Sequence, residues 1–426
     1  MKGVSVGGWA VAQRATILAL RLVAYALAVL VGARPLADLV AAMGPLCVKL
    51  AQAATTRPDL FRPDLIDALK ALQDRVPAQH IGGLPDGCTL LASGSIAQVY
   101  AYDRPDECLV TRRQGACDGN DGDRRRRGGP GSLAVKIKRP GVDRCAAVDG
   151  AILSWLLATR IGRAAVGLVC ERALVREAVE HLVGSMRDAI GQHLDFEAEA
   201  DNMQRMGSLF PSNGSVVVPR VVRHLCTRDR LVMERVEGGI AIADLPSAAA
   251  RAAAAGLVVR AVCEMALVHG FLHGDVHEGN VLALPGDAGE PDARTRLALL
   301  DMGMVYRMTD EQRRLVRVLV RAAATRDVDL LASNVYANAG ASSAPYDSFR
   351  RDVAEAVERG WYGSDLGALL DGLVAACSRN RVPIERSMVG VLAALVAADG
   401  IARRCGASSL TTVACLLCHD LYRCRA

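Results

Sequence analysis

The chain has few aromatic residues and almost no excess charge. Phe, Trp and Tyr make up 4% of its 426 residues, which leaves few side chains on which nucleobases can stack. The formal net charge of +5 is too small over this length to predict a nucleic-acid groove. We therefore expect no nucleic-acid partner. Apolar residues make up 51% of the chain and charged ones 23%, which excludes a disordered protein.

The N-terminal region lacks acidic residues and lacks an uncharged run long enough to cross a bilayer. Residues 1–37 contain no Asp or Glu. Their longest uncharged window, 22–33, spans only about 18 Å as a helix, against roughly 30 Å of hydrocarbon. Arg14 and Arg21 fall on one helical face opposite aliphatic residues, which is the layout of a helix on a membrane surface or of an organelle-targeting segment. A core helix with a solvated stripe fits this pattern equally well.

The cysteine pattern predicts free thiols rather than disulfides. Thirteen cysteines are an odd count, and most lie in apolar helical patterns, which is typical of a reducing compartment. The run Cys415–His419 has the form of a c-type haem attachment site. We favour a helix interior that happens to carry two cysteines, because single-pattern matches often arise by chance.

The first half of the chain predicts a helical extension followed by strands. Helical periodicity dominates residues 34–80, residues 43–85 are interpreted as a helical extension, and a strand-like run follows from Thr89 to Tyr102. The polar, glycine-rich segment 103–131 is interpreted as an inserted surface loop. A second strand is predicted at Ser132–Lys138.

The second half predicts one further strand pair and then mostly helices. The runs 216–222 and 230–236 alternate like paired strands, which would complete a small β-containing lobe over residues 86–238. Residues 239–426 are predicted to be a helical lobe with short strands near 280–284 and 297–300. This is an α+β layout in which a cleft between the lobes is a natural place for a nucleotide.

The residues with the most specific chemistry follow a helix predicted to end at Gly270. The next segment places His273, Asp275 and Asn280 at the spacing of a kinase catalytic loop. In such a loop the Asp orients or deprotonates the attacking group, and the Asn holds Mg²⁺. A metal site built on His273 and His277 is less favoured, because Gly274 and Asp275 make the segment a loop.

Two further elements extend this pattern to a complete phosphate-handling set. Asp301 follows a short apolar strand and precedes Met302–Gly303, which fits a magnesium-binding Asp-Phe-Gly element. Lys136, in Leu133–Lys136, resembles the strand lysine that contacts the α- and β-phosphates. Lys136 alone also fits an exposed strand lysine, and Asp301 alone fits a helix cap. The ordered set with Asp275 and Asn280 favours a kinase-like site.

These residues and a block before them resemble the UbiB family, the AarF-domain-containing atypical kinases. The family's KxGQ motif is matched by Lys49–Gln52, with Ala51 in place of the glycine. Similarity continues through Thr56–Leu60 and Leu72–Pro77, and extends in all from about Met43 to Cys405. His193 replaces the first carboxylate of the family's ExD motif.

The resemblance implies a protein-kinase-like bilobal fold and roles for further residues. Glu199 is implied as the helix partner of Lys136, and Met233 with Glu234 as the hinge that receives adenine. Lys49 and Gln52 are implied to gate the site. The implied nucleotide loop consists of Ala92, Ser93, Gly94 and Ser95.

The resemblance also implies the activity and the partners. We expect an atypical kinase or ATPase that uses ATP and Mg²⁺ and acts on or regulates isoprenoid-lipid metabolism of the coenzyme Q type. The alternative is a non-catalytic, nucleotide-gated scaffold that binds lipid or a lipid-biosynthesis complex. Phosphorylation of proteins is disfavoured, because the 43–77 block is implied to cover the peptide site. The expected location is a membrane surface, in a mitochondrion or other organelle if the source is eukaryotic and on the inner membrane or its cytoplasmic face if it is bacterial.

Overall fold

The structure is a computed structural model that describes most of the chain from residue 78 to residue 414. Described are residues 78–82, 84, 87–103, 132–159, 194–210, 214–277, 279–284, 286, 295–338, 345–361, 366–383, 386–410 and 412–414, with 13–18, 38, 40, 43, 44, 47, 48, 51 and 68. The chain divides into two compact units. The first unit comprises residues 1–201 and 220–235, and the second comprises residues 202–219 and 236–426.

Ten strands lie in the described part of the chain. They are β1 Thr89–Ser93, β2 Ala97–Tyr102, β3 Leu133–Lys138, β4 Val216–Val217, β5 Arg230–Glu234, β6 Ile240–Ala241, β7 Phe271–His273, β8 Val281–Leu284, β9 Arg296–Leu299 and β10 Val305–Arg307.

Eight α-helices with complete bounds accompany these strands among the described residues. They are α1 Val142–Ala158, α2 Phe196–Leu209, α3 Ala248–Cys263, α4 Asp310–Thr325, α5 Val328–Asn338, α6 Tyr346–Trp361, α7 Leu366–Arg379 and α8 Arg386–Arg404. A π-helical segment, Glu264–His269, continues α3. The mixture of helices and sheets confirms the predicted α+β class.

The first unit contains an antiparallel sheet in the order β1-β2-β3-β5. In β3, Leu133 and Val135 point to one face, whereas Ala134 and Lys136 point to the other, because side chains alternate along a strand. The neighbouring strand β5 is fully buried at Leu231 and Val232. Its apolar, β-branched composition therefore suits a strand covered on both faces.

The second unit contains a sheet in the order β4-β9-β8-β6, a two-stranded pair β10-β7, and the helices from α3 onward. Ser247 caps α3 by accepting a hydrogen bond from the Ala250 N–H. The π-helical continuation of α3 ends, as predicted, at Gly270, which has φ +62°. The loop that follows therefore begins at a defined point, directly after a buried helix.

Two strand predictions were wrong in detail. The run from Thr89 to Tyr102 forms two strands joined by a turn. The predicted 216–222 and 230–236 strand pair is absent from these described segments, apart from an isolated bridge between Val221 and Met233. Instead β4 pairs in parallel with β9, and β5 pairs with β3. Pro219 has no N–H to donate, which explains why β4 cannot continue into a longer strand.

The residues after 240 also contain strands that the sequence analysis missed. These are β6, β7 and β10, which have only two or three residues each. A strand this short shows no alternation that could be distinguished from a helix boundary.

Arg14 joins the N-terminal helical residues 13–18 to α1. Its Nε donates to Asp149 Oδ1 at 2.8 Å, and its Nη2 donates to the Met43 carbonyl at 2.7 Å. Asp149 is 3% exposed, so the ion pair neutralises a buried carboxylate. The hydrogen bond to Asp149 raises the pKa of Arg14. Arg14 is thus an internal contact and does not lie on a solvated or lipid-facing stripe; Arg21 and the rest of 19–37 lie outside the described residues.

One described stretch, Ala248–His269, is long and apolar enough to cross a membrane, with a mean hydropathy of 1.6. Its most apolar window is 56% buried inside the protein. Val258, Val259 and Cys263 are among its fully covered side chains. This burial favours a core helix of the second unit.

Candidate functional site

In the first unit, Lys136 and Glu199 form a buried ion pair. The Lys136 Nζ lies 2.7 Å from Glu199 Oε1 and 3.0 Å from Oε2. The ring of Phe196, which is fully buried, lies 5.2 Å from the same Nζ. The strand β3 positions the lysine and the first turn of α2 positions the glutamate, as the resemblance implied.

Asp195 fixes the start of α2. Its Oδ1 accepts hydrogen bonds from the N–H groups of Glu197 and Ala198, both at 3.1 Å, in the manner of an N-terminal cap. This cap sets the helical register that presents Glu199 to Lys136. His193, the predicted departure from the ExD motif, lies outside the described residues.

The implied nucleotide loop is the turn that joins β1 to β2. The Gly94 N–H donates to the Ala97 carbonyl at 2.9 Å and closes the turn. A Cβ added at Gly94 would lie 3.3 Å from that carbonyl oxygen, so an alanine here would be tight. Gly94 has no positive φ. The glycine is therefore explained by close approach of the backbone rather than by a left-handed conformation.

Ser95 and Arg139 complete this turn. The Ser95 Oγ is the one buried side-chain polar atom of the described residues without a hydrogen-bond partner, although the residue is only 6% exposed. Such a hydroxyl is costly unless a ligand or water satisfies it. Arg139 Nε donates to the Gly94 carbonyl and its Nη2 to Ser93 Oγ, both at 2.8 Å. The sequence analysis missed Arg139, although it directly follows the lysine strand.

The predicted hinge residues lie at the end of β5. Met233 pairs with Ala134 and is 7% exposed. The Glu234 carboxylate lies 2.8 Å from Arg220 Nη2, and the Glu234 N–H donates to the Arg220 carbonyl. The division between the two units follows directly after Arg235.

In the second unit, both ring nitrogens of the buried His273 hold the catalytic-type loop. Its Nε2 donates to the Leu300 carbonyl at 2.9 Å, and its Nδ1 accepts from the Asp275 N–H at 3.1 Å. This pattern requires a neutral imidazole with the proton on Nε2. Burial lowers the pKa of His273, in agreement with a neutral ring.

Asn280 stabilises the end of this loop through two hydrogen bonds. Its Nδ2 donates to the Asp275 carbonyl at 3.0 Å, and its own carbonyl accepts from the Leu300 N–H at 2.8 Å. The Asp275 carboxylate lies 3.7 Å from His277 Nε2. The side-chain oxygen of Asn280 has no hydrogen-bond partner among the described residues, which suits it to a metal ligand.

Asp301 lies directly after β9 in a strained conformation. Its φ of +51° is rare for a residue with a side chain, and such strain is concentrated at functional sites. Its Oδ1 accepts from the Gly303 N–H at 3.2 Å. Asn202 on α2 donates to the Met302 carbonyl at 3.1 Å and accepts from Arg307, so it fixes this segment. The sequence analysis missed Asn202, which lies one helical turn beyond Glu199.

Tyr306 packs against the catalytic-type loop at Gly274. A Cβ added at Gly274 would lie 2.9 Å from its ring, and one added at Gly390 on α8 would lie 2.3 Å from it. Both glycines are therefore required by close contact with one ring. Burial raises the pKa of Tyr306, and the negative charge of Asp275 adds to the increase. No sequence signal linked Gly390 to the loop.

Magnesium prefers oxygen ligands and usually keeps several waters or phosphate oxygens. The Asn280 amide and the Asp301 carboxylate are of this kind. Among the described residues there is no group of three or more His, Cys, Asp and Glu that could hold a metal ion. The predicted site therefore depends on a phosphate-bound metal rather than on a cage made by the protein.

Several predicted elements lie outside the described residues. These are Lys49 and Gln52, the insert 104–131 and the Cys415–His419 run. Ala51, which stands at the glycine position of the KxGQ motif, is described and is 6% exposed. The described site residues fall into two sets, one in each unit: Ala92–Ser95 with Lys136, Glu199, Met233 and Glu234, and Asp275 with Asn280 and Asp301.

Comparisons with known proteins agree with the kinase-like pattern. The family model of the ABC1 atypical kinase-like domain matches residues 125–335. An Arabidopsis thaliana protein, ACTIVITY OF BC1 COMPLEX KINASE 3, chloroplastic, is 27% identical over 69% of this chain and 39% of its own length. The probable protein kinase UbiB of Pseudomonas putida is 25% identical over 85% of this chain and 66% of its own length.

The chain thus spans less than two thirds of the length of these two relatives. Among solved structures, Rv3197 of Mycobacterium tuberculosis, in complex with erythromycin, gives a TM-score of 0.46 at 18% identity over 85% of each chain. The ABC1 match covers Lys136, Glu199, Asp275, Asn280 and Asp301, and it confirms the predicted protein-kinase-like fold. This match and the two named relatives support a UbiB/ABC1-type atypical kinase-like domain over residues 125–335.

Proposed function

We propose that this protein binds Mg-ATP and hydrolyses it or transfers its phosphoryl group to a small or lipid-like acceptor. In this proposal Lys136 contacts the phosphates and Glu199 orients Lys136. Asn280 and Asp301 hold the metal, and Asp275 handles the proton of the acceptor. The buried Lys136–Glu199 pair is the observation that carries the proposal. A lysine charge in the protein interior is costly unless it is paired, and here Lys136 Nζ lies 2.7 Å from Glu199 Oε1. A function of the lysine explains why such a costly pair is present.

The turn between β1 and β2 supports the nucleotide part of the proposal. The unpartnered Ser95 hydroxyl is a suitable donor for a phosphate oxygen. Met233 and Glu234 are proposed to receive the adenine. Lys49 and Gln52 are proposed to gate the site, as the family resemblance implies.

The second unit's loop supports the chemical part. Bound Mg²⁺ would neutralise the charge that develops on the transferred phosphoryl group. His273 holds the main chain of Asp275 through one nitrogen and that of Leu300 through the other, so the loop is preorganised. In the proposal, the Asp275 carboxylate accepts the proton of the attacking hydroxyl or water.

The acceptor class is proposed from the relatives. The Pseudomonas putida relative carries the name UbiB, which supports a role in isoprenoid-lipid metabolism of the coenzyme Q type for this chain as well. Anionic membrane surfaces are the proposed setting. A nucleotide-gated scaffold that binds lipid or a biosynthetic complex is the alternative outcome.

Phosphate release from Mg-ATP by the full chain, with and without anionic liposomes, tests this proposal. We expect turnover, and we expect Asp275→Asn to lower it by at least about 10²-fold while Mg-ATP still binds. Tight Mg-ATP binding without phosphate release in either condition would identify the scaffold instead. Absence of Mg-ATP binding would overturn both alternatives.

A further inference from the structure

A cavity of about 440 Å³ opens beside the β1–β2 hairpin of the first unit. Its walls are formed by residues 78–82, 84, 87 and 88 and by Leu90, Gln98 and Tyr100 of the two strands. Tyr100, a lining residue, pairs with Val135, whereas Val99 pairs with Lys136. Since neighbouring residues of a strand point to opposite faces, the cavity lies on the face of the sheet opposite the Lys136 side chain. It is therefore distinct from the proposed nucleotide site.

The chemistry of the walls favours an uncharged ligand. The described lining combines apolar side chains with polar, hydrogen-bonding ones: Ile81, Leu84, Leu90, His80, Gln98 and Tyr100. No Asp, Glu, Lys or Arg is among the described lining residues. A charged ligand would meet no opposite charge among these lining residues. The volume lies within the range of roughly 300–1,000 Å³ that is common for small-molecule sites.

The Tyr100 hydroxyl can donate a hydrogen bond to a ligand in the cavity. Gln98 is 1% exposed; its Oε1 accepts from the Gln79 N–H and its Nε2 donates to the Tyr100 hydroxyl, both at 2.7 Å. Because the Tyr100 oxygen accepts this bond, its own proton remains available as a donor. A ligand with a carbonyl or ether oxygen would satisfy it.

The rim of this cavity is connected to the implied nucleotide loop. Arg139 Nη1 lies 3.5 Å from the Gln79 side-chain oxygen. The same guanidinium donates to the Gly94 carbonyl and to Ser93 Oγ, both at 2.8 Å. A ligand that moves Gln79 therefore changes a direct contact of the turn that closes at Gly94.

We propose that this cavity binds an uncharged, mainly apolar small molecule that carries a hydrogen-bond acceptor, and that its occupancy changes nucleotide affinity through Arg139. The second half rests on the proposed Mg-ATP binding. The first half does not depend on it.

Prodan, an uncharged naphthalene dye with one ketone, is a suitable probe, since its fluorescence shifts when it leaves water. We expect saturable binding to the full chain, and we expect Leu90→Asp to weaken it by about tenfold or more, because a carboxylate then faces an uncharged ligand. Leu91→Asp is the matched control. Leu90 and Leu91 are each 45% exposed, but Leu91 does not line the cavity. Equal affinity of the Leu90→Asp variant and the parent for prodan would contradict the proposed binding site.

A second measurement needs no variant. Cys88 lines the cavity, so bound prodan should slow its alkylation by N-ethylmaleimide, whereas Cys405 should react at an unchanged rate. Mass spectrometry of the two peptides gives both rates. Unchanged alkylation of Cys88 at a saturating dye concentration would contradict the proposal.

Calorimetric titration of Mg-ATP with and without prodan tests the coupling. We expect the affinity to change by at least about threefold, and we expect Arg139→Gln to abolish the difference. An unchanged affinity would overturn the coupling. Absence of Mg-ATP binding in both titrations would contradict the proposed function. The dye titration would still show whether the cavity binds a ligand.

Discussion

At the scale of single residues, the Lys136–Glu199 pair has almost no solvent around it. The lysine side chain is 10% exposed and the glutamate side chain 1%. Two charges in such a place lose most of their hydration, and each then depends on the other for compensation. The Phe196 ring offers Lys136 a weaker second contact.

Removal of one charge should therefore cost more than removal of both. We expect Glu199→Leu to lower the free energy of unfolding by about 3–5 kcal/mol, because it removes the carboxylate that neutralises a buried ammonium group. Adding Lys136→Met should restore part of that loss. Urea unfolding of the parent, both single variants and the double variant measures the coupling. Strictly additive losses would show that the two charges do not compensate each other.

His273 gives the second prediction at this scale, a dependence of stability on pH. Its pKa is lowered from 6.5 by burial, so the folded chain keeps the ring neutral where the unfolded chain binds a proton. The stabilisation is complete above the unfolded value and is lost as the pH falls from about 6.5 towards the folded value, by at most ~1.4 kcal/mol per pH unit. Urea unfolding of the parent and of His273→Gln between pH 8 and pH 5 measures it.

The difference between the two curves isolates this group, since His269 titrates in both proteins. We expect the parent to lose stability relative to the variant as the pH falls. A difference that stays constant over this range would contradict the neutral, doubly bonded imidazole.

At the scale of elements, Gly44 and Gly87 form a matched pair for testing a close contact of the N-terminal helical residues. Gly44 has φ +117°, and a Cβ there would lie 2.5 Å from Arg14 Nη2 and 2.9 Å from Asp149 Oδ2. Gly87 also has a positive φ, of +89°, but has nothing within 4 Å of the added Cβ. Both glycines thus have a backbone conformation that would strain a residue with a side chain, and they differ in what surrounds them.

Gly44→Ala should be more destabilising than Gly87→Ala. The strain costs about 1–3 kcal/mol in each variant. Gly44→Ala should cost at least ~2 kcal/mol more, because it also separates Arg14 from the buried Asp149. Thermal and urea unfolding compare the two variants. Equal losses would show that the N-terminal helical residues do not depend on this contact.

Helix α8 contains a second matched pair of glycines. Gly390→Ala should push the Tyr306 ring towards Gly274, and we expect a cost of about 1–3 kcal/mol with reduced phosphate release. Gly400→Ala should stabilise the helix by ~0.5–1 kcal/mol, since its added Cβ would meet only Arg404 Nη1, at 3.4 Å. Unchanged phosphate release in a folded Gly390→Ala protein would show that the packing of α8 against Tyr306 does not affect the function of the loop.

The elements also show how far the sequence could predict the site. His273, Asp275 and Asn280 lie within eight residues, so their spacing alone indicated a catalytic-type loop. Glu199 was assigned through the family resemblance, because its partner lies 63 residues away in the chain. Arg139, Asn202 and Tyr306 act through contacts that only the fold creates. Local pattern could not find them, nor could it find strands of two or three residues.

At the scale of the whole molecule, the functional groups are divided between two compact units. The first unit supplies an ammonium group and a turn with an unpartnered hydroxyl, Ser95 Oγ. The second contains the Asn280 amide and the Asp301 carboxylate, which are the proposed metal ligands. Each set alone is incomplete for a nucleoside triphosphate with its metal. Mg-ATP binding is therefore the property on which the proposed function depends.

Calorimetric titration of the full chain with ATP, in the presence and absence of Mg²⁺, measures this property most directly. We expect binding that requires Mg²⁺ and is weakened about tenfold or more by Asp301→Asn, because the variant loses an anionic ligand. Asp347→Asn, which changes an exposed carboxylate in the first turn of α6, should bind as the parent does. Binding of Mg-ATP by the Asp301 variant with the affinity of the parent would contradict the account.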